Sequence, residues 1–543
     1  MYLSRRPLRL LILAVALALL PRVARAQSGP PVTPEIVAAA AAAKTPIADG
    51  PVQPTWDSIR ANYTVPQWFI DAKFGITMHW GLFSVAAYHN EWYEKYMYST
   101  FATWHTQHFG PPDKFGYKDF IPLFTAKDFN ADDLLALVKE SGAKYFMPTC
   151  EHHDGFSLWD SAINPFNAAQ LGPKRDLIGE MAVATRKAGL KFGVCNHSIE
   201  HYTFVNPTPG LKTDLDDPKY ADFYWTNHSD ARLQQFLENW VSKSMELIDK
   251  YQLDILWYDN GVNSRNYDPL KEKVAAYFYN RARQWGKEVT IDTKSTAFLA
   301  GSVLDFEKLN PRGPTRILKG IWDAEEPIGS TWGYSAANPV ETFRGPQSVI
   351  SELCEVLSMN GNLLLNLSPD GQGAISAPQQ NTLREIGKWL AVNGEAVYGT
   401  HSWTTDGEGF APAAPRNAGR GRRGANATTA PSAAAAPAMP AGPRGVVYRF
   451  TVKGDNLYAL AQSWPGDTAV ITSLATGKSP EGKIESVTLL GHDGNLEFTQ
   501  DDQGLKVKMP AQRPCNYAYS LKITGLKMNP AGPPVPAVMA DLR

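Results

Sequence analysis

The chain has 543 residues, too many for one ordinary domain, so two domains with extensions are expected. Its 53 basic and 54 acidic side chains nearly balance, so the composition gives no electrostatic case for nucleic-acid binding, which needs a basic stripe. The 15 tryptophans suit either a large core or a pocket that covers sugar rings.

The first segment has the features of a secretory signal. Arg5 and Arg6 precede an apolar run, and Ala24-Arg25-Ala26 has the small-x-small form of a cleavage site. We therefore predict that residues 1–26 are a signal peptide and that the protein is exported, to the periplasm or outside the cell. Because no later apolar run reaches about 20 residues, no membrane span is expected after cleavage.

After a mobile lead-in predicted at residues 27–50, short apolar runs alternate with amphipathic helical stretches, which is typical of βα units around a parallel sheet. We predict an α/β fold, a (β/α)8-like TIM barrel over residues 51–400. An eighth strand is only weakly marked, near Gly320–Trp322. The other seven predicted strands are Phe74–His79, Tyr145–Cys150, Phe192–Asn196, Asp254–Tyr258, Val289–Asp292, Val303–Phe306 and Asn362–Leu367.

Beyond the barrel, residues 405–445 are rich in Ala, Pro, Gly and Arg and are predicted to be a low-complexity linker or insertion. Residues 446–543 contain alternating apolar runs separated by Gly/Asp turns. This pattern predicts a C-terminal antiparallel β-sandwich.

Polar side chains follow four of the predicted barrel strands. They include His79, the pair His152 and His153, His197, and Asp259 in the stretch Asp254-Ile-Leu-Trp-Tyr-Asp-Asn-Gly261. Because the carboxyl ends of barrel strands meet on one face, where such barrels keep their active sites, we expect these side chains to converge. Taken alone, Asp259 could equally open an Asx turn.

The histidines permit two interpretations. A metal site would use His79, His152, His153 and Asp259, but no motif with helical ligand spacing is present. A sugar pocket is favoured, because imidazoles and carboxylates hold hydroxyl groups and the neighbouring indoles cover the apolar face of a sugar ring.

Six stretches together resemble the retaining α-L-fucosidases of glycoside hydrolase family 29. They span the predicted barrel in the family's order. The stretches are Trp68–Ser84, Glu91–Tyr93, His152–Trp159, Trp257–Asp259, Trp332–Tyr334 and Asn360–Asp370.

The resemblance implies an exo-acting enzyme that removes terminal fucose from oligosaccharides or glycoconjugates by double displacement. It implies that Asp259 is the nucleophile and that no metal or organic cofactor is needed. The side chains implied to hold the fucose are His79, Glu91, Trp92, His152, His153, His197 and Trp257. The oligomeric state, the linkage specificity and the natural substrate stay open.

The general acid and base is not fixed by the resemblance. Glu307 follows a predicted strand and resembles an Asp-aromatic-Glu segment of one branch of the family, so we predict Glu307. Asp323, Glu325 and Glu326 are the alternatives.

The chain also departs from the family pattern: Cys195-Asn196-His197 stands where many members have a tyrosine-rich strand end. Two alternative functions stay open, a fucose-binding or glycan-binding protein without turnover, and the same fold acting on another sugar such as a galactoside.

Overall fold

The structure, a computed structural model, describes residues 31–226, 228–309, 313–337, 342–409, 445–529, 532 and 534–536. The predicted signal peptide lies outside these ranges, as do residues 410–444 of the predicted linker. Within the described part of the chain, every helix is too short or too polar to cross a membrane.

Eight parallel strands close into a barrel in chain order, with the eighth pairing back to the first. This confirms the predicted TIM-like fold. Their bounds are β1 Phe74–Met78, β2 Tyr145–Glu151, β3 Lys191–Asn196, β4 Ile255–Tyr258, β5 Thr290–Lys294, β6 Ser302–Glu307, β7 Trp322–Pro327 and β8 Gly361–Leu367.

The position predicted for the weakly marked eighth strand, near Gly320–Trp322, was wrong. The strand is β7, which begins at Trp322, where the prediction ended, and continues to Pro327. Its sequence, Trp-Asp-Ala-Glu-Glu-Pro, carries three acids, yet all six residues are buried. Because the strand points carboxylates into the barrel, its sequence lacks the apolar run by which buried strands are recognised.

Helices pack around the barrel and precede it. They are Pro34–Ala42, Trp56–Asn62, Gln67–Ala72, Phe83–Ala86, Tyr93–Met97, Ala102–His108, Ala131–Glu140, Leu177–Lys187, Ala221–Tyr224, Asp230–Tyr251, Asp268–Gln284, Pro346–Ser358 and Ala377–Asn393.

An apolar cluster fills the interior of the barrel below the carboxyl ends of its strands. Tyr145, Trp257 and Leu364 from the strands pack with Phe69 of the helix that precedes β1. Asn362 of β8 donates a hydrogen bond of 2.8 Å to the carbonyl oxygen of Phe69. The barrel is therefore closed at the amino ends of its strands, and a pocket can open only at their carboxyl ends.

The C-terminal region consists of two antiparallel sheets around one apolar core, which confirms the predicted sandwich. The larger sheet has the order β13-β16-β11-β10-β9 and the smaller β12-β15-β14. The bounds are β9 His401–Glu408, β10 Tyr448–Lys453, β11 Asn456–Ala461, β12 Thr468–Ile471, β13 Gly482–Leu489, β14 Phe498–Asp501, β15 Gly504–Lys508 and β16 Tyr519–Leu526.

The sandwich is joined to the barrel by specific polar contacts. Arg449 of β10 pairs with Glu355 of the helix Pro346–Ser358 at 3.1 Å. The indole nitrogen of Trp389 donates a hydrogen bond of 2.8 Å to the carbonyl oxygen of Ala518.

Candidate active site

The carboxyl ends of the barrel strands surround one cavity of about 280 Å³. Each of its histidines and carboxylates lies at a strand end or in the loop that follows it. The lining residues are His79, Asn90, Glu91, Trp92, Tyr96, His152, His153, His197, Asp259, Asn260, Lys294, Glu307, Lys308 and Trp332.

The structure brings together nearly all of the site residues named from the sequence. Of the nine, only Trp257 is absent from the cavity wall. It is fully buried, and its ring lies behind the wall, with its centroid 5.0 Å from that of His197. Trp257 therefore supports the pocket from below and does not face it.

His79, at the end of β1, is held by Asn366 of β8. The ring nitrogen Nδ1 of His79 lies 2.7 Å from the amide oxygen of Asn366, whose nitrogen donates to the carbonyl oxygen of Trp332. Because the amide nitrogen is engaged with a carbonyl, the amide oxygen must accept, and Nδ1 carries the proton. This leaves Nε2 of His79 as an acceptor for a ligand.

His152 and His153 follow β2 directly, and both line the cavity because Asp154 and Gly155 turn the chain there. Nδ1 of His153 donates to the carbonyl oxygen of His197 at 3.1 Å, and its Nε2 lies 3.5 Å from Oδ2 of Asp259. Burial lowers the pKa of His153 to about 4, so the ring is neutral near pH 7.

Asp259, at the end of β4, is paired with a buried lysine at the end of β5. Oδ1 of Asp259 lies 2.7 Å from Nζ of Lys294. Burial alone would raise the pKa of Asp259, but the charge of Lys294, and then His153, hold it well below its ordinary value. The carboxylate is therefore ionised where it lines the cavity.

Lys294 also contacts Glu307, the predicted general acid and base. Its Nζ lies 3.3 Å from Oε2 of Glu307. Because both carboxylates contact the same nitrogen, the distance between Oδ1 of Asp259 and Oε2 of Glu307 is at most the sum of 2.7 Å and 3.3 Å. The two carboxyl groups are therefore close enough for the separation of roughly 5–5.5 Å that retaining glycosidases have.

The alternative acids lie elsewhere. Glu325 is fully buried, outside the cavity lining, with Oε2 3.7 Å from Lys294. Asp323 accepts a hydrogen bond of 2.9 Å from the hydroxyl of Tyr145 in the barrel interior. Glu326 points the other way, to the backbone of Leu309 and to Arg344. Among the four candidates, only Glu307 lines the cavity.

Below the cavity lies a layer of buried carboxyl groups, which we call the acid layer: Asp292, Asp305, Asp323 and Glu325. The strand register sets Asp305 opposite Asp323, and Asp292 lies on the neighbouring β5. Burial is the main cause that raises the pKa of all four, to about 7 for Asp323, and their mutual repulsion adds to it.

A family model described as Alpha-L-fucosidase matches residues 39–395. The chain belongs to the alpha-L-fucosidase family. A second model, described as Alpha-L-fucosidase C-terminal domain, matches residues 443–524. This alpha-L-fucosidase family member is therefore a glycoside hydrolase acting on terminal α-L-fucose, and the predicted membership is confirmed.

Individual relatives agree over most of the chain. The plasma alpha-L-fucosidase of Homo sapiens is 31% identical over 493 residues, which are 87% of this chain and 92% of that protein. The human tissue alpha-L-fucosidase is 27% identical over 510 residues, again 87% of this chain. The crystal structure of Thermotoga maritima alpha-fucosidase in complex with fucose is 27% identical, with a TM-score of 0.67, and covers 87% of this chain and 100% of that one.

The residues that were not predicted include Lys294 and Trp332, which line the cavity, and Asn366 and Glu200, which lie against its histidines. Lys294 ends β5 just as Asp259 ends β4, so the strand-end pattern was the signal that could have found it. Glu200 lies in the loop after β3, with Oε2 3.6 Å from Nδ1 of His153. Burial, and then the charge of Asp259, raise the pKa of Glu200 to about 7.

Replacing Lys294 with methionine is expected to move the acidic limb of the kcat/KM pH profile to higher pH. The charge of Lys294 lowers the pKa of Asp259, so its loss raises that pKa, by on the order of one unit or more. Asp259 then becomes protonated, and inactive as a nucleophile, at a higher pH than before. The free-enzyme profile measures this directly.

The matched control for that experiment is Lys308→Met. Lys308 also lines the cavity, but its charge lies over the Trp332 ring, 5.6 Å from the centroid. We expect its acidic limb to stay close to that of the wild type. Superimposable profiles for the Lys294 variant and the wild type would contradict the role given to Lys294.

Proposed function

We propose that this chain releases terminal α-L-fucose with retention, using Asp259 as the nucleophile and Glu307 as the general acid and base. The observation that carries the proposal is the short separation imposed on these two carboxylates by Lys294. In retaining enzymes the two carboxyl groups lie about 5–5.5 Å apart, and the shared contact with Lys294 is compatible with that arrangement.

In the first step, a carboxylate oxygen of Asp259 bonds to the anomeric carbon while the bond from that carbon to the leaving oxygen breaks. Glu307 gives its proton to the leaving oxygen, so the alcohol departs neutral. In the second step, the Glu307 carboxylate takes a proton from water, whose oxygen attacks the same carbon. The ester bond to Asp259 breaks, and both carboxyl groups return to their initial states.

The remaining cavity residues are proposed to bind the fucose ring. His79 offers an acceptor nitrogen, and His152, His153 and His197 add imidazoles that are neutral because burial lowers their pKa. Glu91 is fixed by accepting a hydrogen bond of 3.0 Å from the backbone nitrogen of Gly333. The indole of Trp92 supplies an apolar face for the sugar ring, and Trp257 supports His197.

The activity is tested with an aryl α-L-fucoside and with a panel of fucosylated oligosaccharides of different linkage. We expect release of fucose from both, with α-L-fucose as the first-formed anomer when the reaction is followed by proton NMR. Matched aryl galactosides test the alternative that another sugar is preferred. No release from any fucoside, combined with measurable binding of fucose, would favour the glycan-binding alternative.

We also propose that the protein is exported and that its substrates are oligosaccharides or glycoconjugates outside the cytoplasm. The support is the arginine-led apolar run and the Ala24-Arg25-Ala26 site. Expression of the full chain in a bacterial host, followed by N-terminal sequencing of the exported protein, is expected to show a start near Gln27. Retention of the full-length chain in the cytoplasm would contradict this.

A further inference from the structure

We propose that His79, His152 and His197 form a binding site for one borderline divalent cation, such as Zn²⁺, and that such an ion blocks the sugar pocket reversibly. Each of these side chains offers one ring nitrogen, and the three nitrogens lie within 4.8 Å of one another. All three side chains are buried, and all three line the cavity.

The three imidazoles come from the ends of three adjacent strands, β1, β2 and β3. Their ring centroids are 4.7 Å apart for His152 and His197, 5.1 Å for His79 and His197, and 5.7 Å for His79 and His152. Because these strands are paired in one barrel, the backbone fixes the ligand positions before any ion arrives.

The contacts around the cluster resemble those that orient metal ligands. The amide oxygen of Asn366 accepts a hydrogen bond from Nδ1 of His79, which leaves the lone pair of Nε2 available to an ion, and metal-binding histidines in proteins are commonly held in this way. Nδ1 of His152 and Nδ1 of His197 are buried and have no hydrogen-bond partner among the residues that the structure describes. A sugar hydroxyl satisfies one such nitrogen at a time, whereas one ion can engage three rings together.

The donor set selects the ion. Three imidazoles suit Zn²⁺, Cu²⁺, Ni²⁺ and Co²⁺ and discriminate against Mg²⁺ and Ca²⁺, which prefer oxygen ligands. At Zn–N distances of about 2.0–2.1 Å, the nitrogens must draw closer than they lie now, so the rings have to rotate inward. We therefore expect an affinity on the order of micromolar, weaker than that of a dedicated zinc enzyme.

The third imidazole comes from His197, which directly follows β3 and lines the cavity. Without His197 only two imidazoles of the group would remain.

A second group of potential ligands lies in the same cavity and must be distinguished from the first. It consists of His153, Glu200 and Asp259, which also offer ligand atoms within 4.8 Å of one another. It has one imidazole and two carboxylates, and Lys294 already occupies one oxygen of Asp259 with a positive charge. The charge of Lys294 also acts on His79 and His197, but it forms no ion pair with them, and three imidazoles are the better donor set for Zn²⁺.

Isothermal titration calorimetry with ZnCl₂ tests the proposal on the mature chain, free of any histidine tag and stripped of metals with a chelator. We expect about one ion per chain, no binding of MgCl₂, and an absorption spectrum of the Co²⁺ form typical of low coordination number. His197→Phe is expected to weaken Zn²⁺ binding about 10-fold to 100-fold. Glu200→Gln, which removes a ligand only from the second group, is expected to leave it within about twofold.

Two results would overturn the proposal: no saturable Zn²⁺ binding below millimolar concentration, or weaker binding in Glu200→Gln with unchanged binding in His197→Phe. Circular dichroism of each variant shows whether it is folded, and His79→Phe provides a second test if His197→Phe is not. The claim that the ion blocks the pocket rests on the proposed function, and free fucose is expected to raise the apparent Kd for Zn²⁺. The calorimetry stands even if no hydrolysis is found.

Discussion

Replacing Asp259 with glycine is expected to lower kcat on an aryl α-L-fucoside by on the order of 10⁴-fold or more, because the reaction loses the atom that forms the covalent bond to the sugar. Lys294, which now pairs with Asp259 at 2.7 Å, remains beside the space that the carboxylate leaves. That space has the positive charge and the position required to admit a small anion.

Added azide is therefore expected to restore part of the activity and to give the fucosyl azide of inverted, β configuration. One displacement by azide inverts the anomeric carbon, whereas the two displacements of the wild type retain it. Product NMR distinguishes these outcomes.

Glu200→Gln is the control, since it also removes a carboxylate near His153 while leaving Asp259 in place. We expect that variant to lose far less activity and to form no azide product. An Asp259→Gly variant with wild-type turnover would remove Asp259 from the mechanism.

Replacing Glu307 with alanine is expected to lower kcat/KM on fucosylated oligosaccharides by about 10²-fold to 10⁴-fold, the range that general acid catalysis supplies. The loss should be much smaller on aryl fucosides whose leaving group is a weak base, because such a group departs without a proton. This dependence on the leaving group is the signature of the acid and separates it from residues that merely shape the pocket.

The matched controls are Glu325→Gln, Asp323→Asn and Glu326→Gln. Burial raises the pKa of Glu325 well above its ordinary value, so Glu325→Gln replaces a carboxyl group that favours its neutral form, and any loss of activity is expected to be the same on all substrates. Glu326 pairs with Arg344 outside the cavity, and a small effect is expected. If one of these variants, and not Glu307→Ala, shows the dependence on the leaving group, the acid has been assigned to the wrong strand end.

Much of the architecture follows from local sequence patterns. Apolar runs with strand-forming residues locate most of the barrel strands, and the polar residues that follow them meet at one rim because parallel strands all end there. That rule brings His79, His152, His153 and Asp259 together before any coordinate is known. It also applies to Lys294, which was missed because a lysine at a strand end is usually solvated.

The choice among the acids could not be made from sequence because it depends on register. Glu307 pairs with Glu325 across β6 and β7, and Asp305 pairs with Asp323. Although Glu307 and Glu325 are register partners, Glu307 lines the cavity and Glu325 is fully buried. Which of two paired carboxylates reaches the cavity depends on how the closed sheet is tilted and staggered, and no single strand encodes that. The acidic residues of β7 also made that strand hard to recognise from the sequence, because they interrupt the apolar run.

The acid layer beneath the cavity links the stability of the barrel to the acidity of its surroundings. In the unfolded chain Asp323 would ionise near its ordinary pKa of 3.8, whereas in the folded barrel its pKa is about 7. The folded state thus binds more protons between these values, so this contribution to the free energy of unfolding is complete below pH 3.8 and is lost as the pH rises through 7. Proton uptake by the same layer therefore favours folding in mildly acidic media, and the barrel is stabilised in part by protons bound below the cavity.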